Sequence, residues 1–243
     1  MKVAVLSDIH GNLEALEAVL AELAPTGIER YLLGGDIVGY GANPAECIER
    51  ALALNPVMVA GNHDWAAVGR LEIESFNEAA AQAVRWTARQ LGAAERELLD
   101  TLPLAYREEG MVVVHSSPSN PSEWPYLTDV HDVRQALDAS DRWLCMVGHS
   151  HVPFIYGQSG DQEMFDRRPG RYALRPEWRY LVNVGSVGQP RDGDPRACCA
   201  VVDLEGHELD LVRVVYPVSI AQAKIRAESA LPDFLAWRLQ WGF

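Results

Sequence analysis

Short apolar runs and amphipathic stretches alternate through the first 150 residues of the chain. Residues 2–7, 30–34, 56–60, 111–115 and 143–147 are aliphatic runs of strand length. Leu13, Leu16, Val19, Leu20 and Leu23 recur at helical spacing and predict a helix over 13–24. Further helices are expected near 44–54 and 129–138, and 75–101 is helix-rich, with Gly92 separating two helices. Strands alternating with helices predict βαβ units and a parallel sheet. Beyond residue 152, runs at 153–156, 179–184, 198–204 and 208–215 are joined by Gly, Asp and Pro turns, which predicts a second, more antiparallel sheet. Residues 219–240 are expected to add one or two helices. No apolar run approaches the roughly 18 residues of a membrane span, and the first strand starts too early for a secretory signal, so a cytoplasmic protein is expected.

The polar residues fall where those strands end. Val3–Leu6 runs into Asp8 and His10, Tyr31–Leu33 into Asp36, and Val57–Ala60 into Asn62, His63 and Asp64. Met111–Val114 runs into His115, and Leu144–Val147 into His149 and His151. In an open α/β sheet, ligands collect at the carboxyl ends of the strands, so the five groups can converge. Residues i and i+2 of an extended segment face one side, so Asp8 with His10, and His149 with His151, can each offer two donors to one cluster. Gly11, Gly35, Gly61 and Gly148 flank these groups and allow sharp turns. Five of the seven histidines lie in these segments, more than a packing role explains. Singly, each motif has a plainer reading as a turn, a helix cap or a hydrogen-bonded core histidine. Together they point to a shared metal site.

Composition narrows the partners. The 243 residues carry a formal net charge of −13, which disfavours long nucleic acids. A small phosphorylated substrate remains compatible, because bound metals reverse the charge locally. Cys47, Cys145, Cys198 and Cys199 form no C-x-x-C pair and are expected to be reduced and mostly buried. Adjacent Cys198 and Cys199 should face opposite sides of a strand. Nitrogen and oxygen donors without thiolate suit manganese, iron, zinc or cobalt, whereas calcium prefers an all-oxygen shell.

The motifs Ser7-Asp8-Ile9-His10-Gly11-Asn12, Gly35-Asp36, Gly61-Asn62-His63-Asp64, Val114-His115 and Gly148-His149-Ser150-His151, in this order, resemble those of the calcineurin-like metallophosphoesterase superfamily. The segment Asn183-Val184-Gly185-Ser186-Val187-Gly188-Gln189-Pro190-Arg191 is similar to bacterial members of its phosphodiesterase-like and diadenosine-tetraphosphatase-like subgroup. The resemblance implies a four-layer α/β/β/α sandwich of two mixed sheets flanked by helices. It implies one domain over 1–243 with a helix-rich insertion near 65–101. It further implies that Asp8, His10 and His151 bind one metal, that Asn62, His115 and His149 bind a second, and that Asp36 bridges them, with manganese favoured. A metal-bridging hydroxide would attack phosphorus directly.

By the same resemblance His63 is a non-ligand catalytic histidine that stabilises the transition-state oxygen or protonates the leaving group. Asp64 is expected to orient His63 and favour its protonated form, or else to serve as a helix-start carboxylate. Tyr40, Trp124 and Tyr126 are candidates for stacking a nucleobase, with packing as the alternative. Arg191 is a candidate for pairing a substrate phosphate, or for an ion pair with Asp192 or Asp194. Ser7, Ser116, Ser117 and Ser150 neighbour site residues outside any G-x-S-x-G elbow, so they read as turn and supporting groups. The stretch Gly35-Asp36-Ile37-Val38-Gly39-Tyr40-Gly41 lacks the arginine of the serine/threonine phosphatases, with Tyr40 in its place. The favoured activity is therefore hydrolysis of phosphodiester or phosphoanhydride bonds in a small, nucleotide-like substrate. The alternatives are a broad phosphomonoesterase or protein phosphatase, and a non-catalytic metal-binding scaffold.

Overall fold

Alternate residues of the central strands face different layers, and this period of two builds the architecture. A computed structural model describes residues 1–74 and 76–243. In β1 (Lys2–Leu6), Val3 and Val5 point into an apolar layer between two sheets, while Ala4 and Leu6 point into a layer of helices. In β5 (Met111–Val114) and β6 (Leu144–Val147), Met111, Val113, Leu144 and Met146 face the first sheet. Val112, Val114, Cys145 and Val147 face a helix on the far side. Each sheet thus buries both faces, giving helix, sheet, sheet, helix.

The first sheet has the order β3-β2-β1-β11-β12-β9, with β2 at Arg30–Leu33, β3 at Val57–Met58, β9 at Gly170–Ala173, β11 at Ala197–Asp203 and β12 at Glu208–Val214. The second has the order β4-β5-β6-β10-β7-β8, with β4 at Ala105–Glu108, β7 at Phe154–Ser159, β8 at Gln162–Asp166 and β10 at Arg179–Asn183. β1, β2 and β3 pair in parallel, as do β5, β6 and β10. β11 joins β1 antiparallel, and β7 joins β10 antiparallel.

Four layers were expected, but not this division of strands. The later strands do not form a sheet of their own; they complete both sheets, with β10 parallel to β6, β11 antiparallel to β1 and β7 antiparallel to β10. Alternating burial marks a strand but does not name its partner. β3 is shorter than the expected 56–60, because Ala60 leaves the ladder to bond Pro103 O at 2.8 Å. β4, β8 and β9 were not anticipated. They are short, half-exposed outer strands without an apolar run, as sheet edges commonly are.

The helices follow the apolar periodicity. α1 (Leu13–Leu23) starts at Asn12, whose side chain accepts the Ala15 N–H. α2 (Pro44–Leu52), α4 (Glu78–Gln90), α7 (Val218–Ala227) and α8 (Asp233–Leu239) share its layer on the first sheet. α3 (Asn62–Ala67) and α5 (Ala93–Thr101) lie between β3 and β4, and Gly92 does separate α4 from α5. Ser75, where the helix-rich stretch was expected to start, lies outside the described residues. α6 (Val130–Asp138) covers the second sheet. All four cysteines are free and buried, and Cys199 faces the helix layer of the first sheet. Among the described residues no helix is long and apolar enough to cross a membrane.

Candidate metal centre

The loops after β1 and β2 are sewn to each other by backbone hydrogen bonds. Asp8 N donates to Gly35 O (3.0 Å), His10 N to Asp36 O (2.9 Å) and Gly11 N to Ile37 O (2.9 Å). From the second sheet, Gly148 N donates to His115 O (2.8 Å), which fixes the β6 loop beside the end of β5. The loop after β10 then crosses underneath, with Val187 N on Ser7 O (3.0 Å) and Gly188 N on Asp8 O (2.9 Å). All the strand ends singled out in the sequence meet here.

The local geometry differs from the extended pairs that the spacing suggested. Asp8, His10, Asp36, His149 and His151 all have left-handed backbones, with φ of 54°, 50°, 53°, 65° and 60°. Such conformations cost non-glycine residues about 1–3 kcal/mol each and persist where surrounding structure imposes them. As a result the two i, i+2 pairs behave differently. Asp8 and His10 serve one group together with His151, whereas His149 turns to a second group with Asp36 and His115. Within each group the donor atoms lie within 4.8 Å of one another. Two of the flanking glycines also differ from expectation. Gly61 and Gly148 make no left-handed turn but allow close approach: a Cβ on Gly61 would stand 2.0 Å from Asp36 Oδ1, and one on Gly148 2.3 Å from Asp8 Oδ2.

Hydrogen bonding at the rim settles which atoms face the centre. His10 Nδ1 donates to Val38 O (3.0 Å) and His151 Nδ1 to Gln189 O (2.6 Å). A carbonyl only accepts, so both neutral rings carry their proton on Nδ1 and present a bare Nε2. Those two Nε2 atoms stand 3.1 Å apart, with Asp8 Oδ1 3.1 Å from His151 Nε2. His115 Nδ1 likewise donates to Gly34 O (2.8 Å), and its Nε2 stands 3.1 Å from His149 Nδ1 and 3.3 Å from Asp36 Oδ2. Each carboxylate gives one oxygen to the backbone, Asp8 Oδ2 to His149 N (3.0 Å) and Asp36 Oδ1 to His63 N (2.8 Å), and turns the other inward. Asp8 Oδ1, Asn62 Oδ1 and His149 Nε2 are buried without a hydrogen-bond partner. Nitrogens bound about 2 Å from one cation lie about 3 Å apart. The donors present therefore fit metal ions, and nothing else among the described residues satisfies them.

The electrostatics agree. Burial drives His10 and His151 well below the ordinary histidine range and His149 down to about 3. Burial alone would also lower His115, but the charges of Asp36 and Asp8 outweigh it and raise it to about 9. Burial alone would raise Asp36, but His115 and His63 hold it well below the usual carboxylate range. In the metal-free protein a proton on His115 thus takes part of the role of a cation.

His63 sits on the first turn of α3, 4% exposed, with its ring centroid 4.4 Å from Tyr40, 4.9 Å from His10 and 5.1 Å from Phe76. The expected partnership with Asp64 is absent. Asp64 Oδ1 accepts from Ile37 N (2.9 Å) and Val38 N (3.2 Å), and Oδ2 from Gly61 N (3.0 Å). It closes the start of α3 and ties it to the Asp36 loop, the helix-start role of the alternative reading. His63 Nδ1 is buried with no partner, and burial lowers its pKa to about 4, so the ring is neutral near pH 7. An unpaired lone pair is cheaper to bury than an unpaired N–H, which places the proton on Nε2. Asp64 itself is pushed up by burial and by the charge of Asp36, against its backbone donors.

A cleft of about 500 Å³ opens beside the centre, lined by Tyr40, Asn62, His63, Trp124, Tyr126 and His149 among others. The three aromatic candidates are not alike. Tyr40 is 6% exposed and packs edge-on against His10 at 4.6 Å, and Trp124 packs edge-on against His115 and Trp65, so both fit the packing alternative. Tyr126 is 53% exposed and stacks on His149 at 4.2 Å, which leaves its outer face free. Arg191 forms no ion pair with its acidic neighbours. Asp192 pairs with Arg213, and Asp194 with Arg196 at 2.5 Å. Arg191 instead bonds Gln189 Oε1 (2.7 and 3.2 Å) and lies 5.6 Å from the centre of the Tyr40 ring.

Sequence reasoning missed Gln189, whose carbonyl orients His151 and whose side chain holds Arg191. It also missed the carbonyls of Gly34 and Val38, which have no side-chain signature. Asn183 donates to Gly148 O (2.6 Å) and steadies the His149 loop. The serines bond only turns and neighbouring loops: Ser7 to Gly34 O, Ser116 to Pro125 O, Ser117 to Ser119 and Ser150 to Asn183.

Comparison with known proteins bears on the same residues. A model of the calcineurin-like phosphoesterase superfamily domain matches residues 1–207. The chain belongs to the calcineurin-like phosphoesterase superfamily. It is 40% identical over 244 residues to an uncharacterised protein of Methanocaldococcus jannaschii, covering 99% of this chain and 98% of that one. A crystal structure of a metallophosphoesterase from Sphaerobacter thermophilus is 38% identical, with a TM-score of 0.87 over 100% of this chain and 99% of the other. A putative diadenosine tetraphosphatase shares the fold, with a TM-score of 0.53 at 16% identity over 88% of this chain and 94% of that one. Membership of the calcineurin-like superfamily makes this a metal-dependent phosphoesterase by family, and its two candidate metal groups are those described above.

Proposed function

We propose that this phosphoesterase uses two metal ions to hydrolyse phosphodiester or phosphoanhydride bonds of a small, nucleotide-like substrate. The observation that carries the reading is the set of mutually facing donor atoms: bare His10 Nε2 against bare His151 Nε2, and His115 Nε2, 3.1 Å from His149 Nδ1. Asp8, His10 and His151 would hold one ion, and Asn62, His115 and His149 the other. Asp36, whose Oδ2 lies 3.6 Å from His10 Nε2 and 3.3 Å from His115 Nε2, would reach both. When bound, two divalent ions supply Lewis-acid charge at the phosphoryl oxygens and lower the pKa of a water. The nitrogen and oxygen donor set suits manganese, iron, zinc or cobalt, and the family resemblance favours manganese.

The protein's own residues position the substrate. His63 Nε2–H donates to a phosphoryl oxygen as negative charge grows there, the role favoured by its neutral state. Burial of His63 against Tyr40 and Phe76 keeps that donor directed. The Arg191 guanidinium, free of carboxylates, binds phosphoryl oxygens from the other side of Tyr40. The open face of Tyr126 stacks on a planar part of the substrate.

The test is hydrolysis by manganese-loaded protein of bis-p-nitrophenyl phosphate, p-nitrophenyl phosphate and diadenosine tetraphosphate. Metal-dependent turnover with the diester or the dinucleotide ahead of the monoester is expected. Faster turnover of the monoester would favour the phosphomonoesterase alternative. No turnover of any of the three, with metal shown to be bound, would overturn the reading.

A further inference from the structure

The cleft beside the metal donors is built by two stretches of chain that bring no cation to it. The segment joining α3 to α4 contributes Leu71, Phe76 and Asn77, and the loop between β5 and α6 contributes Glu123, Trp124 and Tyr126. Among the described residues no lysine or arginine lines the cleft. Arg70, next to Leu71 in the chain, turns instead to Asp100 at 3.7 Å and lies over the Trp65 ring, 4.2 Å from its centre. Arg191 lies beside Tyr40 but outside the lining.

What the lining offers is apolar surface and one carboxylate. Phe76 packs on His63 at 5.1 Å and Tyr126 stacks on His149 at 4.2 Å, so flat aromatic surface begins directly at the centre. Asn77 spends its side-chain oxygen on Ala80 N (2.9 Å), where it caps α4. The Trp124 indole N–H is buried, so it offers the cleft no donor. Glu123 is exposed, and its backbone N–H rather than its side chain is engaged, on Asn120 O at 3.1 Å. Among the described residues no basic group pairs with its carboxylate, which stays free at the cleft. Glu72 and Glu74, exposed on the first segment, add to the negative charge there.

We propose that this cleft selects phosphodiesters over phosphoanhydrides, by taking an uncharged, ring-bearing group next to the cleaved phosphate and excluding a second phosphate there, with Glu123 as a specificity-determining residue. The inference rests on the phosphoesterase reading and narrows it. Hydrolysis adds the hydroxyl of water to phosphorus, breaks one P–O bond and passes the remaining proton to the leaving oxygen or to solvent. From a diester the departing group is an alcohol. From an anhydride it is a phosphate, which carries negative charge into a cleft whose free side-chain charge is a carboxylate. Like charges repel more strongly in a partly dry cleft than in water, and such repulsion discriminates between ligands. A nucleoside meets no such penalty and gains burial against Phe76 and Tyr126.

The test compares kcat/KM of the manganese-loaded full chain on diadenosine monophosphate, a diester, and diadenosine diphosphate, an anhydride with the same two nucleosides. The wild type should favour the diester about tenfold at low salt, although anhydrides are the more reactive bonds; the factor is modest because Glu123 is exposed. Glu123→Gln should narrow that preference and Glu123→Lys should remove it, chiefly through the KM of the anhydride, and added salt should weaken both effects by screening. Leu71→Lys, which places a cation on the other segment, should act in the same direction. A wild type without the diester preference would overturn the proposal. So would Glu123 variants that change both substrates alike at every salt concentration, because that is the result of a merely structural role. Bis-p-nitrophenyl phosphate hydrolysis, measured alongside, reports the phosphoesterase reading separately. Its turnover without a diester preference removes the selectivity alone, whereas no turnover of any of the three, with manganese shown to be bound, removes both.

Discussion

The Nε2 atoms of His10 and His151 face each other across 3.1 Å, and each ring spends its proton on a backbone carbonyl on the far side. Two lone pairs so held repel unless a cation lies between them, so metal binding should stabilise the fold. At a free metal concentration about a hundredfold above Kd, one site contributes about 2.7 kcal/mol. For a domain of this size that raises Tm by roughly 5–10 °C. Thermal denaturation before and after chelation, with metal content measured, checks this. An unchanged Tm after complete metal loss would contradict the bare-donor account.

Acidification should destabilise the chelated protein. Burial lowers His10, His63, His149 and His151, with His63 at about 4 and His149 at about 3. In the unfolded chain these groups take up protons near pH 6.5. Between that pH and the folded values the unfolded state binds more protons, so stability rises with pH and is lost as pH falls below about 6.5. His115 has the opposite sign: it is raised to about 9, so its contribution is complete below about 6.5 and lost as pH rises through 9. Urea melts of metal-free protein should therefore show an optimum near neutral pH and lower midpoints at pH 5 and pH 9. A midpoint that increased steadily from pH 7 to pH 5 would rule out the buried neutral histidines.

His63 and Asp64 are adjacent and should fail in different ways. His63→Gln removes the imidazole donor and should cut kcat by about 10²–10³ while leaving metal content and Tm nearly unchanged. Asp64→Asn replaces an acceptor by an NH₂ group facing backbone donors, and should cost about 1–3 kcal/mol of stability. If Asp64→Asn lowered kcat as far as His63→Gln with no change in Tm, Asp64 would be acting through His63 after all.

Much of this centre was legible because hard-metal donors followed strand-like runs in order, and strand order fixes which loop ends meet. Asp8, His10, Asp36, His115, His149 and His151 come together as that logic requires. Their backbone geometry was not legible, because i, i+2 spacing suits both an extended segment and the left-handed loops at positive φ found here. The choice between the two readings of Asp64 was not legible for a related reason: a carboxylate next to a histidine in sequence can turn to backbone donors that sequence does not display. The ion pairs that free Arg191 depend on Arg213, a residue of β12 brought alongside by antiparallel pairing with β11.

Gly148 offers the sharpest test of how tightly the ligands are held. A methyl group there would stand 2.1 Å from Ser7 Oγ and 2.3 Å from Asp8 Oδ2, the oxygen that accepts the His149 N–H. Gly148→Ala must therefore displace Asp8 or the His149 loop, and either movement separates donors belonging to the two metal groups. We expect substoichiometric metal and a loss of about 1–3 kcal/mol, typical of overpacking. Adding Ser7→Gly relieves only one of the two contacts and should not restore metal content. Gly160→Ala is the control: its φ of 55° carries a conformational cost, but no atom lies within 4 Å of the added methyl. That variant should lose some stability and keep full metal content by elemental analysis. Full metal in Gly148→Ala would mean that the loops after β1 and β6 yield independently, and the convergence of the two sheets on one rigid centre would have to be abandoned.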